Sequence, residues 1–528
     1  MPVNRLRLST ALLSAAFVLV ACTSASPTLS PSVQQSVAPV PSDEATPAAP
    51  GSAAPNASVE PSAAPPVAAA FPLAVVTGFT NLKADITLDE VAAAAADGTL
   101  IVPCGVTVED VAAQADPCTA PDQIGATLDG GPGLALLPAG LVDARVKVLP
   151  VDGADLFGSA EARTAAYPIT GSGELAAEWT AYDPDEIRTL VSVGESCPDR
   201  GVAYQAITLG KGWEYVFGGG TAAYQRVYPN PVGSGLVGDG FDIVDAVPTG
   251  NEGAVWDFIG AADITVEDFE CPVLDAWTVN EGVNFSIDPR VLQFMADGGT
   301  DVVTLASNHL TDRGIDGFLE TLEHFDEVGI ARTGGGADLD EALEPAVVDV
   351  NGLRFAVVGW NLVPGAVEAG PGQPGVAWMH EDSIRDSVAR AREAGDIVIC
   401  MPQWGYPEYR VEFTEEERVL QELFFDAGCD HVLGHGTHWA SQIDFTADES
   451  GAPGFTILSH GNFLFGQSWS QQTQEGVLPE LTFRGTDLVQ VRLHPYIMLL
   501  QAQASFTDPQ TDGAYVLNRV YSASDVTY

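Results

Sequence analysis

Basic residues are scarce in this sequence. Its 528 residues include only 22 lysines and arginines against 72 aspartates and glutamates, which gives a formal net charge of −50. A protein that binds nucleic acid needs a basic surface to neutralise phosphates, so the composition excludes nucleic acid as a partner. It also argues against electrostatic adhesion to an anionic membrane surface. The acidity fits a strongly hydrated surface, or a site that collects cations.

Long apolar runs are also rare, and none after residue 21 is long enough to span a bilayer. At the N-terminus, Arg5 and Arg7 precede the short apolar run STALLSAAFVLVA, so residues 1–21 are predicted to be a signal peptide. The run ends in LVAC, which resembles a bacterial lipobox and predicts lipidation of Cys22. The alternative is an ordinary secretory signal with an incidental cysteine. Lipidation implies a protein held at the cell membrane by its lipid anchor only, on the extracytoplasmic face.

Large apolar side chains are few in residues 22–70, which are mainly Ala, Pro and Ser. Such a segment cannot bury enough surface to offset the entropy of ordering, so it is predicted to be a disordered tether. Residues 71–185 follow as a small α/β domain, with the strand FPLAVVTGF, the Thr-capped helix TLDEVAAAAADG and two strands in GLALLPAGLVDARVKVLPVDG. This order resembles one lobe of a type II solute-binding protein. The alternative is a small structural or partner-binding module.

Cysteine pairs with zinc-site spacing are absent, because no Cys-x-x-Cys occurs. Apart from Cys22, an even number of cysteines remains, and an exported chain permits disulfides. The short loop between them favours the pair Cys104–Cys118. Cys400 and Cys429 each lie at a predicted strand boundary, which suggests a second pair. Cys197 and Cys271 each follow a candidate site segment, which suggests a third.

Predicted strands and helices alternate through residues 186–528, and the chain closes on strand-rich segments. Repeated βα units followed by hairpins indicate packed sheets flanked by helices, which is an α/β fold. The predicted strands include IRTLVSVG, DITVEDFE, DVVTLAS, LRFAVVGW, DIVICMPQW and CDHVLGH. The predicted helices include AVWDFIGAA, RVLQFMADGG, DGFLETLEHFDEVG and residues 383–394 and 415–427.

Polar side chains follow most of these predicted strands. Ligands in α/β folds gather at the carboxyl ends of strands, and carboxylates and imidazoles are common metal ligands. One histidine at a strand end is more often structural. Polar side chains at several strand ends together indicate a metal-assisted hydrolase or transferase. The side chains are Glu195, Asp268, Glu270, Asn308, His309, Asp312, Gln403, Glu408, His435, His438 and Asn462.

Several ordered blocks together resemble one known family. They include LVSVGESCPDRGVAYQ, ADITVEDFECPV, VVTLASNHLTDRG, QWGYPEY, FFDAGCDHVLGHGTHWASQ and LSHGNFLF. They resemble the CapA family of poly-γ-glutamate capsule synthesis proteins, which is related in fold to calcineurin-like metallophosphoesterases. The resemblance implies a layered α/β/β/α sandwich and a role in capsule or poly-γ-glutamate biosynthesis or export. It also implies an envelope polymer-synthesis complex as partner, and one or two divalent ions (Mn, Mg, Ca or Zn).

The resemblance further implies roles for single residues. His309 is expected near a leaving group and Asp312 is expected to orient it, although TDRG is equally a turn. Gln403 stands where the family usually has histidine, and its amide oxygen favours a hard cation. We hypothesise that His460, where the family usually has leucine, replaces that imidazole. The expected metal ligands are Glu195 (in the place of an aspartate), Glu270, Asn308, Gln403, His435, His438 and His460.

Three functions remain open at this point. The first is a metal-dependent, phosphoesterase-like hydrolase with two altered ligand positions. The second is a catalytically impaired accessory or binding protein that keeps the fold. The third is a solute-binding or sensor lipoprotein that uses residues 71–185.

Overall fold

The structure, a computed structural model, describes residues 70–108, 110–111, 117–128, 131–229, 242–280, 282–447 and 451–526. The expected signal peptide, Cys22 and the tether, except for its last residue, lie outside this part of the chain. All described residues fall within one compact unit, Val67–Tyr528. The division of the folded part at residue 185 stays a prediction.

The first segment forms a mixed sheet in the order β2-β4-β1-β6-β3, with β5 also paired to β1. Its strands are β1 (Phe71–Gly78), β2 (Leu100–Ile101), β3 (Val106–Val108), β4 (Leu134–Pro138), β5 (Val146–Leu149) and β6 (Thr170–Gly173). Its helices are α1 (Leu88–Ala96), α2 (Ile124–Leu128), α3 (Ala160–Arg163) and α4 (Ala177–Thr180). The predicted Thr cap of α1 is confirmed, because Thr87 and Glu90 form a reciprocal capping box.

The rest of the chain supplies most of the strands and the longer helices. Its strands are β7 (Ile187–Cys197), β8 (Thr221–Pro229), β9 (Asp242–Gly250), β10 (Ile264–Phe269), β11 (Val302–Thr304), β12 (Ala331–Thr333), β13 (Gly335–Gly336), β14 (Ala346–Val350), β15 (Leu353–Asn361), β16 (Gly375–Val376), β17 (Ile397–Gln403), β18 (His431–Leu433), β19 (Ile443–Ala447), β20 (Pro453–Ile457), β21 (Asn462–Phe465), β22 (Glu475–Arg484), β23 (Asp487–Leu499) and β24 (Gln503–Phe506). Its helices are α5 (Arg200–Ala203), α6 (Trp213–Val216), α7 (Ala254–Gly260), α8 (Arg290–Asp297), α9 (Gly314–Val328), α10 (Leu339–Ala342), α11 (Glu381–Ala394), α12 (Glu415–Ala427) and α13 (Ala514–Ala523). Among the described residues, no helix has the length and hydropathy needed to cross a bilayer.

Two large sheets face each other across a buried core. The first has the order β12-β11-β10-β7-β22-β23-β24-β8-β9, with β21 paired to β7, and the second has the order β14-β15-β17-β18-β20-β19. Val266 of the first sheet and Val357 of the second share this core. Helices α8 and α9 cover the outer face of the first sheet, and α11 and α12 cover that of the second. These layers confirm the expected α/β/β/α sandwich.

The small sheet of the first segment packs against the larger first sheet. Val148 and Phe157 share a core with Ile187 and Val489. Arg492 of β23 also forms an ion pair with Asp155.

Three disulfides cross-link the described part of the chain. They are Cys104–Cys118, Cys197–Cys271 and Cys400–Cys429, the pairs favoured by the sequence. Cys197–Cys271 joins the ends of β7 and β10, and both neighbouring segments carry expected ligands.

Candidate metal centre

The candidate centre lies where carboxyl ends of parallel strands from both large sheets meet. From the first sheet, Glu195 lies on β7 and Glu270 directly follows β10. From the second, Gln403 ends β17 and His435 follows β18. The two halves touch, since Gln403 Nε2 donates a hydrogen bond to Glu270 Oε1 at 3.1 Å. The topology therefore brings together residues far apart in sequence, as expected for strand ends.

Glu195 anchors the loop that carries the paired histidines. Its Oε1 accepts hydrogen bonds from Gly436 N (2.7 Å), His438 N (3.3 Å) and Ser459 Oγ (2.8 Å). Its Oε2 forms an ion pair with His438 Nδ1. These bonds hold His438 at a φ of 60°, a left-handed conformation that is uncommon for a residue other than glycine. The loop shape thus depends on a glutamate from the opposite sheet.

Glu195 and His438 shift each other's pKa in opposite directions. Burial by itself would raise the pKa of Glu195, but His438 and the Ser459 hydroxyl lower it to about 2. Burial would likewise lower the pKa of His438, but Glu195 raises it to about 10. His438 Nδ1 also lies 2.9 Å from Asn462 Oδ1. Without a cation, this part of the centre is therefore an internal salt bridge.

The remaining polar atoms of the centre are buried and lack hydrogen-bond partners among the described residues, although His435 Nδ1 lies 4.0 Å from Asp268 Oδ2. An unsatisfied buried donor or acceptor costs about 1–3 kcal/mol, so such atoms are rarely grouped without a reason. The group comprises Asp268 Oδ1 and Oδ2, Glu270 Oε2, Gln403 Oε1, both ring nitrogens of His435, and His460 Nε2. Carboxylate, amide and imidazole atoms of this kind fit a divalent cation.

His435 and His460 are in the form that binds metal. Their rings stack with centroids 4.6 Å apart and planes 7° from parallel. His460 Nδ1 lies 3.0 Å from the carbonyl oxygen of Gly434, so it donates and leaves the lone pair on Nε2. Burial lowers the pKa of His460 to about 4, and burial with the neighbouring His460 lowers the pKa of His435 well below its usual value. Both rings are therefore neutral near pH 7, as metal ligands must be.

The carboxylates of the centre repel one another. Burial and the charge of Glu195 raise the pKa of Glu270 to about 7. Burial and the charges of Glu270 and Glu195 raise the pKa of Asp268 well above its usual value. A divalent cation would let these groups ionise together, because it supplies the missing positive charge. One ligand atom from each of Glu195, Glu270 and His438 already lies within 4.8 Å of the others.

The chain matches the family described as "Bacterial capsule synthesis protein PGA_cap" over residues 190–467. It belongs to this family. It is 27% identical to the capsule biosynthesis protein CapA of Bacillus anthracis over 277 residues, which are 50% of this chain and 64% of that protein. It is 27% identical to the PGA biosynthesis protein CapA of Bacillus subtilis over 216 residues, 40% of this chain and 55% of that protein. The chain thus spans less than two thirds of these relatives.

Among solved structures, the chain is similar to the calcineurin-like phosphoesterase YfkN of Bacillus subtilis. The identity is 11% and the TM-score is 0.32, covering 63% of this chain and 96% of that one. The predicted membership in the CapA family is confirmed by the family match and the two CapA relatives.

In this PGA_cap chain, most of the expected site residues lie together. Glu195, Glu270, Gln403, His435, His438 and His460 form the buried cluster described above. His309 lies beside it, near enough to lower the pKa of Glu270. Its Nδ1 lies 3.1 Å from Asp312 Oδ2, the contact expected of an orienting carboxylate. Asn308 Oδ1 lies 3.4 Å from Ser307 Oγ, and its role as a ligand stays a prediction.

Arg200 is the site residue that sequence reasoning missed. Its Nη1 is buried without a hydrogen-bond partner among the described residues, while its Nε donates to the carbonyl of Gly282 at 2.7 Å. Its guanidinium lies 4.6 Å from the centre of the Phe285 ring, which packs edge-to-face on His309. Burial lowers the pKa of Arg200, and nearby groups including Glu270 oppose that shift. Arg200 therefore places a positive charge at the edge of the centre.

Replacing His460 by alanine is expected to lower metal affinity by about 10- to 100-fold, because a buried imidazole nitrogen aimed at the cluster is lost. The measurement is a metal titration monitored by calorimetry. His431→Ala is the matched control, since His431 is also buried and its pKa is also lowered by burial to about 4. His431 instead accepts a hydrogen bond from Phe455 N outside the cluster. Equal affinities for His460→Ala and the unaltered protein would show that His460 is no ligand.

Proposed function

We propose that the protein acts in bacterial capsule or poly-γ-glutamate biosynthesis or export, through a metal-dependent site of the phosphoesterase type. This proposal rests on the cluster of buried ligand atoms that lack hydrogen-bond partners among the described residues, at the junction of the two sheets. Family membership and similarity to the two CapA proteins, of capsule biosynthesis and PGA biosynthesis, support the biological role. A complex that synthesises or exports the envelope polymer is the proposed partner.

The proposed location is the extracytoplasmic face of the cell membrane, with Cys22 as a lipid anchor. The LVAC sequence supports this proposal. The three disulfides also support it, because structural disulfides persist mainly in oxidising compartments outside the cytoplasm.

The residues that would hold the metal are Glu195, Glu270, His435, His438 and His460, and His438 would release its proton on binding. Gln403 would add an amide oxygen, and Asp268 would add negative charge or a further ligand. A divalent ion bound there supplies a Lewis acid for a phosphoryl or acyl-phosphate oxygen and lowers the pKa of water. Mn, Mg, Ca and Zn all remain candidates, and the amide oxygen favours the harder ions.

His309 and Arg200 supply the remaining chemistry. Because the Asp312 carboxylate contacts His309 Nδ1, it fixes the orientation of the ring. The opposite ring nitrogen can then give a proton to a leaving-group oxygen. The unpaired Nη1 of Arg200 can hold an anionic substrate oxygen, since guanidinium groups bind phosphate and carboxylate well. The proposed substrate is therefore an anion that contacts both Arg200 and His309.

The test is hydrolysis of p-nitrophenyl phosphate and bis(p-nitrophenyl) phosphate by the Mn-loaded chain. We expect turnover that a chelator abolishes. Arg200→Gln is expected to lower kcat/KM by about 10- to 100-fold, as for loss of a charged hydrogen bond, with its metal content unchanged. Arg418→Gln is the control, because Arg418 also lies over a phenylalanine ring, that of Phe413, but pairs with Asp444 away from the cluster.

One observation favours a second candidate, a catalytically impaired accessory or binding protein. Glu195 and His438 form an ion pair with each other, and this pairing competes with a cation for both side chains. Metal binding without turnover of either ester would support this second function. If the protein showed no metal binding and no turnover of either ester, the proposal as a whole would be contradicted.

A further inference from the structure

Lysine is almost absent from this chain, yet two of its three lysines line one cavity. The cavity measures about 300 Å³ and lies between the first segment and the C-terminal strands. Lys83 and Lys147 contribute from the first segment, and Arg492 and His494 contribute from β23. In the part of the chain that the structure describes, no acidic residue lines it. Such a concentration of basic groups is unexpected in a protein with a net charge of −50.

The positive charge of this cavity is only partly neutralised. Lys83 pairs with Glu90, Arg492 with Asp155, and His494 with Glu480. Lys147 is buried and donates to the carbonyl oxygen of Asn81. Burial, together with the charge of Arg492, lowers the pKa of Lys147 to about 8, and no carboxylate opposes this shift among the described residues.

A buried ammonium without a counter-charge is costly to keep. An anion bound beside it would supply that counter-charge. The rest of the wall is mostly apolar, with Phe506 and Leu517 among its side chains. A mostly apolar cavity with a few convergent polar groups is the usual form of a small-molecule site, and this volume is at the small end of the usual range.

We propose that this cavity binds a small organic carboxylate with an apolar tail. The carboxylate contacts Lys147 and lies near Arg492, and the tail packs against Phe506 and Leu517. None of the metal-centre residues lines the cavity, so the site is separate from the proposed hydrolytic centre. Because its walls come from the first segment and from the C-terminal strands, the ligand stabilises their contact.

The test titrates hexanoate into the full chain and follows binding by calorimetry and the thermal unfolding midpoint. We expect saturable binding and a rise in the midpoint, because a ligand bound only to the folded state stabilises it. Acetate is expected to bind at least about 10-fold more weakly, since it lacks the apolar tail. Lys147→Met is expected to weaken hexanoate binding by at least about 10-fold, the effect of losing a charged hydrogen bond.

Lys211→Met is the matched control, because Lys211 is the remaining lysine and lies over the Tyr215 ring outside the cavity. It is expected to bind hexanoate like the unaltered chain. Should Lys147→Met not fold, Lys147→Gln carries the same expectation. Absence of saturable hexanoate binding would overturn the proposal, as would equal binding by the Lys147 variant. Metal content and ester hydrolysis are expected to be unchanged in Lys147→Met, which separates this proposal from that of the metal centre.

Discussion

Replacing Glu270 by glutamine is expected to reduce the metal affinity of this protein by at least about 100-fold, and hydrolysis with it. Glu270 Oε2 is buried without a partner, and the residue lies in the group of ligand atoms within 4.8 Å of one another. The substitution keeps the size and shape of the side chain, removes its charge and replaces one carboxylate oxygen by an amide NH2 group. Burial and the charge of Glu195 raise the pKa of Glu270 to about 7, so an uncharged side chain there relieves repulsion with Glu195. Metal titration by calorimetry, with circular dichroism to check folding, measures the effect.

Glu267→Gln is the matched control for this experiment. Glu267 is also buried on β10, and burial also raises its pKa to about 7. Its Oε2 accepts a hydrogen bond from Thr300 Oγ1 at 3.1 Å, away from the ligand cluster. We expect metal affinity within about 2-fold of the unaltered chain, because no ligand is removed. If both variants bound metal equally well, Glu270 would not be a ligand.

Removing the Cys197–Cys271 disulfide is expected to lower the free energy of unfolding by about 2–5 kcal/mol. The bond spans 74 residues of sequence, so its loss greatly increases the freedom of the unfolded chain. It also joins the strand ends that carry Glu195 and Glu270, so the metal affinity should fall as well. The Cys197→Ser/Cys271→Ser double variant tests this by urea denaturation and by metal titration.

The Cys104→Ser/Cys118→Ser double variant provides the comparison. That disulfide spans 14 residues in the small first sheet, so the model of chain entropy predicts a smaller loss of stability. It should leave metal affinity unchanged, because neither cysteine adjoins a ligand. Unchanged metal affinity in the Cys197/Cys271 variant would mean that the spacing of Glu195 and Glu270 does not depend on this bond.

The sequence predicted much of the centre because its residues occupy strand ends. Glu195, Glu270, Gln403 and His435 each end or directly follow a predicted strand, and parallel strands bring such ends to one edge. The hypothesis for His460 came from the absence of an imidazole at position 403. The structure places His460 in the cluster, and whether it binds metal stays a prediction.

Other features of the centre depend on contacts between distant segments, which the local sequence pattern does not reveal. The register between β7 and β10 shifts because Gly194 of β7 has no partner on β10, and such a bulge changes the face on which the next side chain, Glu195, lies. Alternation along β7 alone therefore could not predict the direction of Glu195. Arg200 was missed because its packing partner Phe285 comes from a distant loop. The insertion of β22 beside β7 likewise depends on contacts between segments nearly 300 residues apart.

The role of residues 71–185 as a solute-binding module stays a prediction. The structure shows how this segment is held, through a shared core with Ile187 and Val489 and through the Arg492–Asp155 pair. The same contact surface contains the basic cavity. A ligand there would therefore act on the junction of the first segment with the larger sheets.

The most direct test of the central claim is the metal content of the purified chain after equilibration with Mn²⁺ and removal of free ion. Mass spectrometry of the metal, with the protein concentration measured in parallel, gives the ratio. We expect about one or two ions per chain, and loss of at least one in Glu270→Gln, as a metal-assisted phosphoesterase site requires. A chain that retains no metal, or a Glu270→Gln variant that retains as much as the unaltered chain, would contradict it.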